Sequence, residues 1–423
     1  MPHATPKADC APIGHAGTVS AILADIRSSG PITFARFMEL ALYHPEFGYY
    51  TRPTDAAGED RIGWSGDYFT SVDVHPVFAR ALVRQFAQID EQLGRPDPFT
   101  VVEIGPGKGL LARDILAACE RDAPSLFARL RYVLIERSQA MVAAQQKHLA
   151  PWNAAPGRVS WVQGLEALGG GSVTGVAFSN ELVDSFPVHR LRIERGEPKE
   201  VYVDQAGGRF CERLGALSTQ ALADYLTRLA ALDVTLRDGT TIELNLAAVR
   251  WMQEVARVLG RGVVITIDYG HTARDLYGPD RTRGTLLCYS RHQASEDPYT
   301  RIGLQDLTTH VDFTMLAAVG EDAGLHLTGF TNQVSFLMGL GIEQMLASLE
   351  PDSPALHSAI RLLKPDGMGR TFKILIQHKG IPAPALDGLR FQPFFGNVLG
   401  VRGDQTDPAS TSNLEPRTSN LRA

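Results

Sequence analysis

Three glycines and two glutamates have the spacing of a site for an adenosine-containing ligand. Gly105, Gly107 and Gly109 follow the apolar run "FTVVEI" and precede a helical pattern. Glu103 lies at the end of that run. Glu136 closes the next apolar run, "RYVLIE". Bare backbone between a strand and a helix lets a ligand approach closely. The pattern therefore predicts a site for a nicotinamide dinucleotide, a nucleotide phosphate or S-adenosylmethionine (SAM).

The residues around the glycines favour SAM among these ligands. The dinucleotide fingerprint GxGxxG needs glycine where this chain has Leu110, and a phosphate loop needs serine or threonine where Gly109 follows Lys108. A carboxylate such as Glu103 repels a pyrophosphate but attracts the ammonium and sulfonium groups of SAM. Glu136 can accept hydrogen bonds from both ribose hydroxyls. A solvated charge at a strand end is the alternative role for either glutamate.

The elements around these residues predict an α/β fold. Short runs rich in valine and isoleucine alternate with helical segments, which is typical of a mostly parallel sheet covered by helices on both faces. The connection between Asn180 and Gly262 is too long for one crossover, and its alternating pattern predicts a small antiparallel insertion. The predicted strands are "TVVEIG", "RYVLIE", "VSWVQG", "GVAFSN" and "GVVITIDYG", with "GLHLTGFTNQ" and "TFKILIQHKG" as two closing strands.

Composition and the positions of turn-forming residues divide the chain into four predicted segments. These are a disordered N-terminus over 1–17, a helical cap with a cofactor-covering loop over 18–98, the SAM-binding domain over 99–380 with an insertion at about 187–260, and a C-terminal extension over 381–423 that is disordered from about 404.

Charge and composition disfavour several classes of protein. The 423 residues carry a net charge of −6, which argues against a protein that coats nucleic acid. The four cysteines form no CxxC pair and the histidines are scattered, so no metal site is expected. A secretory signal is not expected, because the N-terminal residues contain no apolar core, and no apolar run approaches the roughly 18 residues that a membrane span needs. We therefore expect a cytoplasmic protein without membrane insertion.

Several longer motifs resemble the MidA-like family of class I SAM-dependent methyltransferases. They are "EIGPGKG", "IERS", "SNELVDSFPVHR", "IDYG" and "GTLLCYSRHQASEDPYTRIGLQDLTTHVDFT", and the resemblance runs from "ALYHPEFGYYT" to "TFKILIQHKG". It implies a Rossmann-like class I methyltransferase fold with a seven-stranded sheet, N-terminal helices and an insertion after the fourth strand. The family's mitochondrial members are arginine methyltransferases that act on a subunit of respiratory complex I during its assembly. The resemblance thus implies a protein substrate, with a complex I subunit as the candidate; a homodimer is a further expectation.

The resemblance also implies which residues bind the cofactor. Glu103, Gly105 and Gly107 would surround the methionine part of SAM, and Glu136 would bind its ribose. The other expected contacts are Gln163 and Gly164 at the adenine edge, Asn180 beside the methyl-transfer pocket, and Thr70 and Ser71 of the segment "GDYFTSVDVH". Three later positions of that segment depart from the family's usual GDFxTSPEIS.

Four side chains are candidates for the chemistry of methyl transfer to arginine. A guanidinium is not freely deprotonated, so carboxylates pair with it and orient one nitrogen. Glu181, the first choice, and Asp184 lie three residues apart in "NELVDS". His310 and Asp312 of "THVDF" would form a His–carboxylate pair that accepts a proton, and this motif is similar to the Thr-His loop of arginine methyltransferases. The alternatives are helix caps for the two aspartates and a satisfied histidine at a helix start.

Other functions remain open at this point. The same fold supports a small-molecule O- or N-methyltransferase, because a fold does not fix its substrate. It also supports an assembly factor that binds a partner protein without catalysis. A nicotinamide oxidoreductase is disfavoured by Leu110 and Glu103. The two arginines of the loop "GPDRTRG" are expected to be solvated surface.

Overall fold

The computed structural model describes residues 13–52, 75–154, 157–291, 293–364, 368–391, 393 and 399–400. In that part of the chain the helices are α1 (Ala16–Ser29), α2 (Phe34–Tyr43), α3 (Val77–Gln92), α4 (Leu110–Asp122), α5 (Pro124–Arg129), α6 (Gln139–His148), α7 (Ala150–Asn153), α8 (Gln220–Ala231), α9 (Leu246–Val258), α10 (Ala273–Leu276), α11 (Phe313–Asp322), α12 (Gln333–Gly339), α13 (Ile342–Leu346), α14 (Pro354–Arg361) and α15 (Met368–Thr371).

The strands of the same described residues are β1 (Ile32–Thr33), β2 (Phe99–Ile104), β3 (Leu130–Ile135), β4 (Val159–Val162), β5 (Val173–Asn180), β6 (His189–Glu194), β7 (Glu197–Ala206), β8 (Arg209–Gly215), β9 (Thr241–Leu244), β10 (Leu259–His271), β11 (Leu287–Ser290), β12 (Gln293–Ser295), β13 (Asp306–Thr308), β14 (Val311–Asp312), β15 (His326–Asn332) and β16 (Phe372–Lys379). Short 3-10 helices lie at Leu165–Ala167, Val183–Ser185 and Asp387–Leu389.

A mostly parallel sheet forms the centre of the fold. Its strands run in the order β4-β3-β2-β5-β10-β16-β15. The first five are parallel to one another, and β16 is antiparallel to both of its neighbours. The two-residue strand β14 pairs with the end of β10 as an eighth strand. The predicted α/β fold with a mostly parallel sheet is confirmed, and the predicted seven strands are joined by β14.

The order of the strands places a crevice beside β2. The chain leaves β2 toward β3 on one side, while β5 lies on the other side. Loops that diverge at such a switch point leave an opening at the carboxyl ends of the strands, where α/β proteins bind their ligands. The glycine turn after β2 and the loops after β3, β4 and β5 therefore meet at one edge of the sheet.

Helices cover both faces of this sheet. On one face, α3 and α4 pack around the buried side chains of Phe86 and Phe178. On the other face, α9 and α11 pack around Met252 and Phe313. Each large apolar side chain that is fully buried contributes about 1.5–3 kcal/mol to stability. The two layers thus hold the loops of the crevice on a rigid base.

A second, antiparallel sheet ties the N-terminal helices to the insertion. Its order is β1-β7-β6-β9, with β8 beside β7. The sequence predicts only that a helix starts at Thr33. The hydroxyl of Thr33 does accept a hydrogen bond from the backbone N of Arg36 at 3.2 Å, as expected at a helix start. The same residue also lies in β1, opposite Tyr202. The insertion follows the fourth strand of the parallel sheet as predicted, but its strands end at Leu244, and α9 returns the chain to β10.

Part of the segment that was predicted to be disordered has a defined place. Gly14 forms a β-bridge with Ile302, and α1 begins at Ala16. The ring of His15 accepts a hydrogen bond from the backbone N of Thr18 and so caps this helix. Helix α1 therefore starts two residues before the predicted boundary, because these local bonds fix its first turn. Residues 1–12 and 401–423 lie outside the described residues.

Candidate functional site

The glycine turn is close to its neighbouring loop at one position and open at the next. Gly105, Gly107 and Gly109 all have positive φ angles, of 72°, 52° and 79°. A Cβ atom at Gly105 would lie 2.6 Å from Cδ1 of Leu182, on the loop after β5. A Cβ atom at Gly107 would have no described atom within 4 Å. The turn therefore closes the crevice at its base and leaves bare backbone on its open side.

Glu103 is a buried carboxyl group directly below this turn. Its Oε2 accepts a hydrogen bond of 2.7 Å from the hydroxyl of Tyr132 on β3. Burial raises the pKa of Glu103 to about 7, although the bond from Tyr132 favours the ionised form. At neutral pH this group is poised between its two forms, so a cation placed beside it would ionise it fully.

Glu136 lies at the tip of β3 and is joined to the glycine turn by Gln145. The Glu136 carboxylate accepts from the backbone N of Ser138 at 2.7 Å and from Nε2 of Gln145 at 3.2 Å, and burial raises its pKa. Gln145 also donates to the carbonyl of Gly107 at 2.7 Å and accepts from Nε1 of Trp161 at 2.9 Å. No sequence motif pointed to Gln145, because all its partners lie on other segments of the chain.

Of the other predicted cofactor contacts at the ends of the strands and in the N-terminal loop, only some lie in the described part of the chain. Gln163 and Gly164 follow β4 at the same edge of the sheet as the glycine turn. Gln163 is exposed, and Gly164 is buried in an extended conformation. Thr70 and Ser71 lie outside the described residues.

Glu181 occupies a strained position at the end of β5. Its φ is 53°, a left-handed conformation that costs a residue other than glycine about 1–2 kcal/mol. Its backbone N donates to the carbonyl of Ile267 at 2.9 Å, and its carboxylate accepts from Nδ2 of Asn180 at 3.1 Å. The side chain is partly exposed. Strain of this kind concentrates at functional sites, where a particular side chain is needed.

Asp268 of β10 holds the loop that follows Glu181. Its Oδ2 accepts from the backbone N atoms of Leu182 at 3.1 Å, Val183 at 2.8 Å and Asp184 at 3.4 Å. Burial, together with the neighbouring carboxylate of Asp184, raises the pKa of Asp268 well above its usual value. From the sequence, Asp268 could line the pocket or cap a helix. The structure places it beneath the loop, as the cap of the 3-10 helix.

Asp184 and His310 are brought together by their neighbours. The buried carboxylate of Asp184 accepts a short hydrogen bond from the hydroxyl of Tyr269, and burial raises its pKa to about 6. The backbone N of Thr309 donates to the carbonyl of Asp184 at 2.9 Å. The rings of Tyr269 and His310 meet edge to face, with centroids 5.7 Å apart. The motifs "NELVDS" and "THVDF" therefore border one site.

His310 and Asp312 do not form the hydrogen-bonded pair that the sequence suggested. Burial and the nearby charges of Arg281 and Lys373 lower the pKa of His310 to about 4, so its imidazole is neutral at pH 7. Its Nδ1 has no hydrogen-bond partner among the described residues. One carboxylate oxygen of Asp312 caps α11, and the other accepts from the hydroxyl of Tyr225 at 3.0 Å. Asp312 thus has the alternative role of a helix cap.

Two tyrosines of the N-terminal region line the same site. The hydroxyl of Tyr43 lies 2.8 Å from Oγ of Ser185, and its ring stacks on Tyr50 at 5.4 Å. Tyr50 donates to Oδ1 of the buried Asp306 at 2.7 Å. Burial and the nearby carboxylates of Asp306 and Asp184 raise the pKa of Tyr43. Tyr43, Tyr50 and Asp306 were not among the residues predicted for the site, although both tyrosines lie in the motif "ALYHPEFGYYT" that carries part of the family resemblance.

The site as a whole is suited to a cationic group. Carboxylates of Glu181, Asp184 and Asp306 lie beside aromatic rings at the end of β5, next to the opening at the glycine turn. Carboxylates and tyrosine rings both stabilise a guanidinium or ammonium ion. Among the described residues, no group of three or more histidine, cysteine, aspartate or glutamate side chains is arranged to hold a metal ion. No helix in that part of the chain is long and apolar enough to cross a membrane.

Comparisons with known proteins agree with this geometry. The profile of a family described as "Putative S-adenosyl-L-methionine-dependent methyltransferase" matches residues 81–331. The protein arginine methyltransferase NDUFAF7 homolog of Drosophila melanogaster is 28% identical over 413 residues, which cover 92% of this chain and 90% of the relative. The human protein arginine methyltransferase NDUFAF7 is 27% identical, with 89% and 87% of the two chains covered.

Two crystal structures from Burkholderia thailandensis have the same fold. One, bound to S-adenosyl-homocysteine, is 30% identical and has a TM-score of 0.77, and the match covers 88% of this chain and 94% of the other. A native structure is 31% identical with a TM-score of 0.75 over the same shares. The predicted cofactor, SAM, is confirmed by these findings.

The predicted cytoplasmic location is wrong by the same comparisons. The relatives from Drosophila melanogaster, Rattus norvegicus and Homo sapiens are all named as mitochondrial proteins. The expectation rested on the lack of a recognisable secretory signal and of a long apolar run in the sequence.

Proposed function

Because this chain belongs to the MidA-like family of SAM-dependent methyltransferases, we propose that it methylates an arginine side chain of a protein. The observation that carries the arginine assignment is the group of carboxylates at the end of β5, with Glu181 partly exposed and Asp184 buried behind it. The fly and human relatives that are named protein arginine methyltransferases support it.

The residues of the crevice fit SAM. We assign its ribose to the carboxylate of Glu136 and its methionine end to Glu103, Gly105 and Gly107, where the backbone is bare and a carboxyl group can ionise. The other proposed contacts are Gln163, Gly164 and Asn180, with Thr70 and Ser71 added from the resemblance alone. When bound, SAM supplies a methyl group on a positively charged sulfur, and this group needs no activation by the protein.

Glu181 and Asp184 would hold the substrate guanidinium. Carboxylate oxygens pair with two of its N–H groups and leave a third nitrogen facing the methyl group. A nitrogen–carbon bond forms as the carbon–sulfur bond breaks, and the nitrogen loses one proton. Glu181 is partly exposed and can pass that proton to solvent. The neutral imidazole of His310 is a second acceptor for a substrate N–H group.

We propose that the protein substrate is a subunit of respiratory complex I, as the family resemblance implies. The NDUFAF7 names of the relatives support this choice. A homodimer stays a prediction, which light scattering on the purified protein tests.

Labelled methyl transfer tests the proposed function. The purified protein is incubated with SAM that carries a deuterated methyl group and with an extract of cells that lack the gene. We expect deuterated methylarginine in a protein, identified by mass spectrometry of its peptides. Label that enters only the small-molecule fraction would replace the arginine assignment with a small-molecule methyltransferase. Bound SAM without any transfer would favour the non-catalytic assembly factor.

The affinity for SAM is expected to rise with pH because of Glu103. The cationic cofactor favours the carboxylate form, so binding lowers a pKa that is about 7 in the free protein and releases a proton. Between about pH 6 and about pH 7.5 the ionised fraction, and with it the affinity, should grow about eightfold. Isothermal titration calorimetry measures both the affinity and the proton release. Glu103→Gln should flatten the profile, and an equal affinity of the wild-type protein at both pH values would contradict the assignment.

A further inference from the structure

A cleft lined by arginines lies next to the carboxylates of the site. It has a volume of about 470 Å³ and is bordered by Arg190 and Arg192 of β6 and by Arg281 and Arg283 of the loop before β11. His310 also lines it. We call this feature the arginine cleft. The chain as a whole carries a net charge of −6, so this concentration of positive charge is a local exception.

Two of the four arginines lack a carboxylate partner among the described residues. Arg192 is exposed and forms no ion pair there. Arg281 donates to the backbone carbonyl of Asp275 and contacts Nε2 of His271 at 3.1 Å, and neither acceptor is charged. Its positive charge helps to lower the pKa of both His271 and His310. Arg192 and Arg281 therefore give the cleft positive charge that is not neutralised by an ion pair among the described residues.

The other two arginines form ion pairs, and one of their acidic partners, Glu296, also lines the cleft. Arg190 contacts Glu212 at 2.8 Å and Glu243 at 3.6 Å, and Arg283 pairs with Glu296. Planar guanidinium groups bind carboxylates through two parallel hydrogen bonds, so Arg192 and Arg281 supply the cleft with donors of the type that recognises carboxylates.

The arginine cleft and the carboxylates of the site share one wall. Leu287 of β11 lines the cleft, and Tyr289, two residues further along this strand, lies opposite Asp306 of β13. Two residues of a strand span about 7 Å. The backbone N of His310 donates to Oγ1 of Thr285, another residue of the cleft. A peptide whose arginine enters the acidic site would therefore pass over the cleft.

We propose that the arginine cleft binds an acidic segment of the substrate protein, next to the arginine that is methylated. The position of that arginine rests on the proposed function. The volume is in the range of about 300–1,000 Å³ that is usual for ligand sites, which is room for a short stretch of side chains. A substrate with one positive side chain flanked by negative ones matches both halves of the surface, whereas a basic flanking sequence would be repelled.

Two labelled peptides without arginine test the cleft by itself. Each has citrulline, a neutral counterpart of arginine, at its centre; one carries glutamates on both sides and the other carries glutamines. Fluorescence anisotropy measures their binding to the protein loaded with S-adenosyl-homocysteine. We expect the glutamate peptide to bind roughly tenfold more tightly, with an advantage that shrinks as salt is added. Equal affinities, or displacement by inorganic phosphate as complete as by unlabelled peptide, would overturn the proposal.

Matched variants locate the effect. Arg192 and Arg283 are both exposed, so Arg192→Glu combined with Arg283→Gln should leave the fold intact, which circular dichroism checks. We expect this variant to lose roughly tenfold in affinity for the glutamate peptide and nothing for the glutamine peptide. Arg209→Glu, at an exposed arginine of β8 outside the cleft, is the control. An equal loss in the control would overturn the assignment to the cleft.

The same peptides with arginine in place of citrulline separate this proposal from the proposed function. If the glutamate peptide binds through the cleft but neither arginine peptide is methylated, the arginine assignment fails and the cleft stands. If both arginine peptides are methylated with the same KM, the cleft proposal fails and the proposed function stands.

Discussion

Glu181→Gln should reduce arginine methylation about a thousandfold while SAM binds as in the wild-type protein. Removing one partner of a desolvated charge pair costs about 2–5 kcal/mol, and a group that orients the reacting nitrogen acts mainly in the transition state. Glutamine keeps the shape of the side chain, so the loss reports on the charge. The measurements are kcat/KM for a methylated peptide and the calorimetric Kd for SAM. Retention of more than about a tenth of the activity would remove Glu181 from its proposed role.

The strained backbone at this position offers a pair of control variants. Glu181→Gly should be as inactive as Glu181→Gln, yet fold at least as well, because glycine adopts a φ of 53° without strain. Arg195 has a φ of 55° in the exposed turn between β6 and β7. Arg195→Gly should therefore keep full activity, and a thermal melt of both variants compares their stability. A fall of several degrees in the melting temperature of Glu181→Gly alone would show that the glutamate also holds the loop in place.

Features encoded within short stretches of sequence could be predicted. The glycine turn and Glu136 follow apolar runs directly, so their place at the ends of β2 and β3 follows from local pattern. Thr33, followed by an apolar helical face, marked the start of α2. The antiparallel pairing of the closing strands β15 and β16 could not be derived in this way, because the register of a strand depends on its partner.

Features that depend on distant partners could not be predicted. Gln145 is defined by bonds to three other elements, and Asp268 by the backbone of a loop more than eighty residues earlier. Asp312 and His310 are close in sequence, which suggested a pair. Helix α11 begins directly after Asp312, however, and its first turn takes up one oxygen of that carboxylate.

The position of the two arginines of the loop "GPDRTRG" also could not be predicted from the sequence. In the sequence their neighbours are polar, and solvated surface is the ordinary expectation. In the structure Arg281 and Arg283 line the same cleft as Arg190 and Arg192, which lie on β6 about ninety residues earlier. The concentration of charge arises only when the insertion folds beside the loop. The sequence therefore locates the cofactor turn far better than it locates the surface beside the substrate.

Glu136→Ala should raise the Kd for SAM about a hundredfold. Hydrogen bonds to a charged acceptor contribute about 1.5–3 kcal/mol each, and the two ribose hydroxyls would lose this acceptor together; a net loss of about 3 kcal/mol corresponds to that factor. The loss of the link to Gln145, at 3.2 Å from the carboxylate, acts in the same direction because it loosens the glycine turn. Calorimetry with SAM and with S-adenosyl-homocysteine measures the effect, and Glu343→Ala, at an exposed glutamate of α13, is the control.

The same variant separates catalysis from binding of a partner in cells. If methyl transfer is the function, Glu136→Ala and Glu181→Gln should both fail to restore the methylated arginine in cells that lack the gene. They should differ in SAM affinity, since the role we propose for Glu136 is to bind the ribose and the role we propose for Glu181 is to bind the substrate. If Glu136→Ala instead loses SAM and still restores the cellular function, the crevice is dispensable and the chain acts by binding a partner. A Kd for SAM within about threefold of the wild-type value would place the ribose elsewhere along the edge of the sheet.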